Sequence, residues 1–221
     1  MTENIHRHQV FFTLIGLRWQ PGTHYVELPD RKMNVGSSWP VFTLQYVQAM
    51  RNVLGSDLKF SKWKLGVTDH MNLKLLGRFG YRLTVGGFIN KDSLQVPDYN
   101  HLNGNTSRFA AEYLNSFQIL SIYQFSNTSS FYATAHLEHN FNGFLTNKIP
   151  GIKKLNIYLV TGLNAFHVKD GHDYIELFGG VDNIFKQIRV DVLRSFLDGK
   201  AWQWGVRIGL RNRGRRGDDW P

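Results

Sequence analysis

Alternation between apolar and polar residues is the feature that most constrains how this chain can fold. From Leu73 to Ile89, apolar residues such as Leu83 take every second position with few exceptions, and polar residues such as Arg82 lie between them. A period of two is that of a β-strand, whose successive side chains point to opposite faces. The run is much longer than the usual globular strand of about 5 or 6 residues. Its length favours a strand that crosses a membrane.

The same alternation recurs along most of the chain. Further runs begin near Phe42, Trp63, Phe131, Leu155, Ile175, Ile188 and Trp202, and residues 10 to 19 are apolar on both faces. We expect about nine strands, with Phe117 to Phe125 as a tenth. Turn-forming clusters such as QPGTHYVELPD and LDGK separate the runs, and neither a helix of useful length nor an interdomain linker is predicted.

A membrane-spanning strand escapes detection by average hydropathy. It needs only about 10 residues, half of them polar where they face a lumen, whereas a spanning helix needs about 20 apolar residues, which this chain lacks. The predicted fold class is all-β: an antiparallel transmembrane β-barrel, to which this chain contributes about nine or ten strands. Residues 1–210 are predicted to form this partial outer-membrane β-barrel, and residues 211–221 a basic C-terminal tail. We expect the export signal upstream of Met1.

Alternation alone leaves open which face meets water, because a soluble barrel also carries charges on its outer surface. Two features favour lipid. Aromatic residues recur near strand ends on the apolar face, as at Trp63, Phe141 and Trp202, where membrane barrels have their girdles. The connections are also very unequal, and the long stretch from Asn90 to Thr128 suits a barrel with short turns on one side and long loops on the other.

The net charge of +9 does not indicate a nucleic-acid partner. A nucleic-acid binder clusters its basic residues on one face, with stacking aromatics nearby. Here most Lys and Arg residues alternate with apolar residues inside the strand-like runs, apart from Arg211, Arg213, Arg215 and Arg216 in the tail. The chain has no Cys, which removes disulfide scaffolds and thiolate metal sites.

Three motifs resemble those of a known family: HLNGN at His101 to Asn105, HNFNGFLTNKIP at His139 to Pro150, and YIELFGGVDNIFKQIRVDV at Tyr174 to Val192. Through them, the chain up to Leu210 resembles the C-terminal outer-membrane barrel of an unknown-function family whose members carry a carboxypeptidase-like regulatory domain. That barrel is distantly similar to the outer-membrane assembly and bacterial surface antigen superfamily. The resemblance implies a Gram-negative outer membrane as the location, and it implies that this chain is the C-terminal portion of the barrel.

The resemblance also implies a role for the long loop. His101, Gly104 and Asn105 would belong to the extracellular loop that folds back into the lumen in that superfamily. The Val-Arg-Gly-aromatic motif expected there is not present, so an assembly activity is an analogy at the level of the fold. The regulatory domain resembles a non-catalytic immunoglobulin-like module, which gives no reason to expect peptidase activity.

Charges of both signs lie on the polar faces of the predicted strands, as in a hydrogen-bonded lumen. The predicted lumen polar network consists of Lys74, Arg78, Arg82, His136, Glu138, Glu176, Asp182, Arg189, Asp191 and Arg207. Asp182, Arg189 and Asp191 flank a short turn on adjacent strands. They are interpreted either as an electrostatic staple, which stabilises strand pairing by about 0.2 to 1 kcal/mol, or as a latch that holds the long loop in the lumen.

The sequence predicts no catalytic residue, no metal site and no cofactor. His136, Glu138 and His139 are of metal-ligand types, but on a strand His139 points away from the other two. Our first hypothesis is an outer-membrane barrel, not an enzyme, with a role in transport or outer-membrane assembly. Its partners would be outer-membrane lipid and lipopolysaccharide, and upstream strands or a partner chain that close the barrel. The alternatives are a soluble β-barrel that binds a small apolar ligand and, more weakly, a surface-anchored hydrolase.

Overall fold

Nine antiparallel strands form one continuous sheet in the computed structural model, which describes residues 9–150 and 152–210. The strands are β1 (Phe12–Trp19), β2 (His24–Glu27), β3 (Lys32–Gly36), β4 (Val41–Ala49), β5 (Lys59–Asn72), β6 (Arg78–Ser93), β7 (Tyr132–Asn140), β8 (Tyr158–Val168), β9 (Asp173–Ile184), β10 (Ile188–Leu197) and β11 (Lys200–Leu210). In the large sheet, β1 pairs with β4, and β4 to β11 then follow in chain order. β2 and β3 form a separate hairpin. The prediction of an all-β antiparallel fold is confirmed.

Helical structure in the described ranges is limited to short 3-10 turns at Lys74–Leu76, Val96–Asp98, Thr146–Lys148 and Ile152–Leu155. None of these helices is long and apolar enough to cross a membrane. The predicted basic tail, residues 211–221, lies outside the described residues.

The two edges of the sheet are β1 and β11, and within the described residues they do not pair with each other. The sheet is therefore open and does not close into a barrel within the described residues. At Ile208, the outer edge of β11 is hydrogen-bonded to residues of the connection between β6 and β7. The Ile208 N–H donates to the Arg108 carbonyl at 3.3 Å, and the Ile208 carbonyl accepts from the Ala110 N–H at 2.9 Å.

Strand register divides the residues between two faces. Arg82, His136 and Glu176 share the side that we term the polar face, and the residues next to them in sequence, such as Ile175 and Leu177, share the apolar face. Glu176 is 0% exposed, whereas Ile175 and Leu177 are 43% and 45% exposed. The apolar face is thus exposed at these positions, whereas the polar face also carries buried apolar side chains such as Phe166, Tyr174 and Phe178.

The polar face of β7 to β11 is covered by residues 94–131, the long connection between β6 and β7, which we term the inserted segment. Its buried side chains Phe117 and Leu120 pack against Tyr132, Phe166 and Tyr174 of the sheet. The prediction of a tenth strand from Phe117 to Phe125 is wrong. The physical reason is that the backbone of this stretch bonds to side chains beneath it and not to a neighbouring strand.

The sheet curves towards its polar face. Glu138 on β7 and Arg189 on β10 form an ion pair with an N···O distance of 2.7 Å. Three strand spacings separate β7 from β10, about 14 Å along a flat sheet. Curvature of the sheet reduces this separation, so that the two side chains meet above β8 and β9.

Two local predictions need correction. The strand predicted from Leu73 begins only at Arg78, because residues 73–77 form the turn between β5 and β6, closed by a hydrogen bond from Leu73 N–H to Gly77 O. Gly77 has a φ of +102°, which favours glycine, so a continuous strand does not pass through it. The cluster QPGTHYVELPD, predicted as a turn, contains β2.

Candidate functional site

A row of polar side chains crosses the polar face at directly paired positions. The row consists of Arg82, His136, Asn164, Glu176 and Ser195, one from each of β6 to β10. His136 Nδ1 lies 2.9 Å from Asn164 Oδ1, and Asn164 Nδ2 donates to Glu176 Oε1 at 2.9 Å. A buried polar group is tolerated where it is hydrogen-bonded, so His136, Asn164 and Glu176 support one another.

Glu176 connects this row to the inserted segment. Its carboxylate accepts the backbone N–H of Gln118 at 2.9 Å and that of Ile119 at 3.0 Å. The Tyr174 hydroxyl also donates to it at 2.9 Å. Hydrogen bonds to a charged acceptor are worth about twice neutral ones. The carboxylate thus replaces the partner strand that these two backbone N–H groups would otherwise need.

A second connection joins Tyr113 of the inserted segment to the charged residues of β7 and β10. The Tyr113 hydroxyl donates to Asp191 Oδ2 at 2.6 Å, and the same oxygen accepts from Arg189 Nε at 2.7 Å. The Arg189 guanidinium also lies 4.0 Å from the centre of the Tyr113 ring. Burial first, and then the neighbouring Asp191 carboxylate, raise the pKa of Tyr113 well above its ordinary value, so the hydroxyl remains a donor.

Cations at the sides of the polar face also bind the inserted segment. Arg207 of β11 donates from Nε to the Gln118 carbonyl at 2.7 Å, and Arg82 of β6 donates from a guanidinium nitrogen to Asn115 Oδ1. Gln118 is therefore held through its N–H by Glu176 and through its carbonyl by Arg207. Such contacts to both backbone groups fix the height of the segment above the sheet.

The motif HLNGN folds within the inserted segment. Asn105 N–H donates to the Leu120 carbonyl at 2.7 Å, and the Asn105 side chain donates to the Phe109 carbonyl at 2.7 Å. A Cβ on Gly104 would lie 2.5 Å from the Leu120 carbonyl oxygen, so only glycine fits at this crossing of two stretches of the inserted segment. His101 Nδ1 lies 2.7 Å from Ser126 Oγ. The motif serves to close the segment on itself.

The other contacts of the predicted network are more dispersed. Lys74 is in the turn before β6 and Arg78 is the first residue of that strand, and both are exposed. Asp182 accepts from Asn140 Nδ2 at 3.3 Å. Arg189 bridges Asp191 and Glu138, which are on its own strand and on β7. The expected electrostatic staple therefore consists of Arg189, Asp191 and Glu138, and it joins β10 to β7.

Several important residues were missed at the sequence level. Asn164 takes a polar position in the alternation of β8, which was a usable signal. Tyr113 and Gln118 follow no such pattern, because they lie in a segment without regular structure. Within the described ranges, no group of three or more His, Asp or Glu side chains comes together in a way that could hold a metal ion.

Comparison with known proteins gives one match. A family model described as "Family of unknown function (DUF5686) C-terminal domain" matches residues 1–181. No curated protein and no solved structure matches the chain.

Proposed function

We propose that this chain, which belongs to the DUF5686 family of unknown function through its C-terminal domain, forms the C-terminal portion of an outer-membrane β-barrel that carries solutes through its lumen. The polar face lines the lumen, and the inserted segment narrows it. The apolar face contacts outer-membrane lipid and lipopolysaccharide. Upstream strands or a partner chain pair with the edges of the sheet and complete the wall. We also propose that the full-length protein carries a carboxypeptidase-like regulatory domain.

The observation that carries this proposal is the exposure of the apolar face. Ile175 and Leu177 are exposed on either side of the fully buried Glu176. Transferring apolar surface out of water is favourable by about 25 cal/mol per Å². A sheet with this pattern therefore gains free energy in hydrocarbon, and the backbone groups of its inner strands are satisfied by their neighbours, as a membrane requires.

The contents of the polar face argue against the soluble, ligand-binding alternative. A barrel that holds a small apolar ligand keeps an apolar cavity open inside. Here the space above β7 to β10 is filled by Phe117 and Leu120, beside the buried carboxylates of Glu176 and Asp191. Apolar ligands gain nothing from such charged neighbours. A filled, hydrogen-bonded interior suits a pore whose width is controlled by its own chain.

The experiment is fractionation of cells that express the full-length protein. We expect the protein in the outer-membrane fraction, soluble only in detergent, with a change of electrophoretic mobility on boiling that is typical of folded barrels. Reconstitution into phospholipid vesicles should make them permeable to small solutes. A folded monomer in the aqueous phase without detergent would overturn the proposal.

A further inference from the structure

The charges on the polar face are separated by strand. On β1, β4 and β5, and on β6 as far as Phe88, every charged side chain on this face is a cation: Arg18, Lys62, Lys64, Arg78 and Arg82. Asp69 of β5 lies on the apolar face, opposite Tyr81. On β7 to β10 the same face carries the carboxylates of Glu138, Glu176, Asp182 and Asp191. The cation on this part of the face, Arg189, is paired with Glu138 and Asp191. The first strands therefore form a cationic wall.

The inserted segment leaves most of this cationic wall uncovered. Glu176 and Asp191 are buried under the inserted segment, whereas Arg18, Gln45 and Lys64 are exposed. The inserted segment reaches only the edge of the wall. There Lys62 Nζ donates to the Asp98 carbonyl at 2.8 Å, and the charges of Asp98 and Glu112 act on Lys62 and Arg82 respectively.

Lys64 is at the centre of the wall. Its paired neighbours on the polar face are Gln45 of β4 and Gly86 of β6, and neither carries a charge. Lys62 projects from the same face two residues away, a distance of about 7 Å along a strand. No described carboxylate forms an ion pair with Lys62, Lys64 or Arg18. Like charges at this spacing repel, and a mobile anion removes the repulsion.

We propose that the cationic wall, centred on Lys64 with Lys62, Arg18 and Arg82 around it, binds small multivalent anions of the phosphate type. The inference rests on the proposed function for its physiological meaning, since such a wall in a lumen would select anions as the solutes that pass. Charge complementarity is the basis for this choice of ligand, because ammonium and guanidinium groups donate charge-assisted hydrogen bonds to phosphate oxygens.

The test is calorimetric titration of the full-length protein with pyrophosphate at low ionic strength. The protein is purified from whichever cell fraction contains it, with detergent if that fraction is membranous. We expect saturable binding that weakens with added salt, because screening reduces the attraction between exposed charges. We expect Lys64→Gln to weaken binding by about tenfold, the loss of one charge-assisted contact.

The matched control is Lys153→Gln, which removes the same charge from an exposed turn away from the wall. It should leave pyrophosphate binding unchanged. Absence of binding in the unaltered protein, or equal binding by Lys64→Gln and Lys153→Gln, would overturn the anion site. If binding depends on Lys64 in a protein recovered from the aqueous phase, the anion site stands and the membrane proposal fails, so the two outcomes are distinguishable.

Discussion

Glu176 on β9 accepts the backbone N–H of Gln118 at 2.9 Å across a sequence separation of 58 residues. The same carboxylate accepts the N–H of Ile119, so one buried side chain anchors two consecutive peptide groups of the inserted segment. An unpaired buried N–H group costs free energy comparable to a lost hydrogen bond. The position of the inserted segment above the polar face therefore depends on this carboxylate.

Replacing Glu176 by Gln should release the inserted segment. The amide of Gln bears an NH₂ group that cannot accept from the Gln118 and Ile119 N–H groups, and each hydrogen bond to a charged group contributes about 1.5 to 3 kcal/mol. We expect a lower free energy of unfolding and faster cleavage by chymotrypsin after Phe117, which is buried in the unaltered protein. Glu112→Gln makes the same chemical change at an exposed site of the segment and should not alter cleavage. Equal cleavage of the two variants would disprove the anchoring role.

Tyr113→Phe should loosen the second connection. It removes the hydroxyl that donates to Asp191 Oδ2 at 2.6 Å, and we expect a loss of about 1.5 to 3 kcal/mol in the free energy of unfolding. Tyr123→Phe is the control, because Tyr123 is an exposed residue of the same segment. Denaturant unfolding of both variants measures the difference, and a loss at Tyr123 as large as that at Tyr113 would contradict the assignment.

The raised pKa of Tyr113 gives this connection a pH dependence. Tyr113 is neutral in the folded protein and ionises first in the unfolded chain, close to its ordinary pKa of 10.0. Its stabilising contribution is therefore complete below pH 10 and declines as the pH rises further. We expect the stability difference between the unaltered protein and Tyr113→Phe to narrow above pH 10. A stability difference that stays constant up to pH 11 would show that the pKa of Tyr113 is not raised in the folded protein.

The two faces of β4 can be compared at adjacent residues. Leu44 on the apolar face and Gln45 on the polar face are both exposed, so arginine at either would be nearly silent in a water-soluble sheet. In a membrane barrel, arginine on the lipid face costs about 2 to 4 kcal/mol near the bilayer midplane. Urea unfolding in phospholipid vesicles should show this loss for Leu44→Arg, with little change for Gln45→Arg. Equal stabilities would mean that lipid does not touch the apolar face.

Gly104→Ala should disturb the crossing at the HLNGN motif. The added methyl group would lie 2.5 Å from the Leu120 carbonyl oxygen, which is backbone and must move. Overpacking of this kind costs about 1 to 3 kcal/mol. At Gly179 the nearest atom to an added Cβ is 3.9 Å away, so Gly179→Ala serves as the control that fits. Thermal unfolding of the two variants checks the prediction, which fails if Gly104→Ala is as stable as Gly179→Ala.

Alternation made the sheet predictable, because it records which side each residue of a strand faces. That Glu176 faces one side of the sheet and its neighbours Ile175 and Leu177 the other follows directly from that pattern. Contacts of the inserted segment could not be predicted, because Gln118 meets Glu176 through the backbone, which carries no sequence signature. The strand start at Arg78 was missed since the alternation continues through the turn that Gly77 makes.

At Ile208, both main-chain groups on the outer edge of β11 are engaged by Arg108 and Ala110. A strand arriving alongside β11 would find no donor or acceptor available at that residue, although the positions before and after it could still pair. In the proposed barrel, a strand that pairs with β11 and the inserted segment would therefore compete for the N–H and the carbonyl of Ile208.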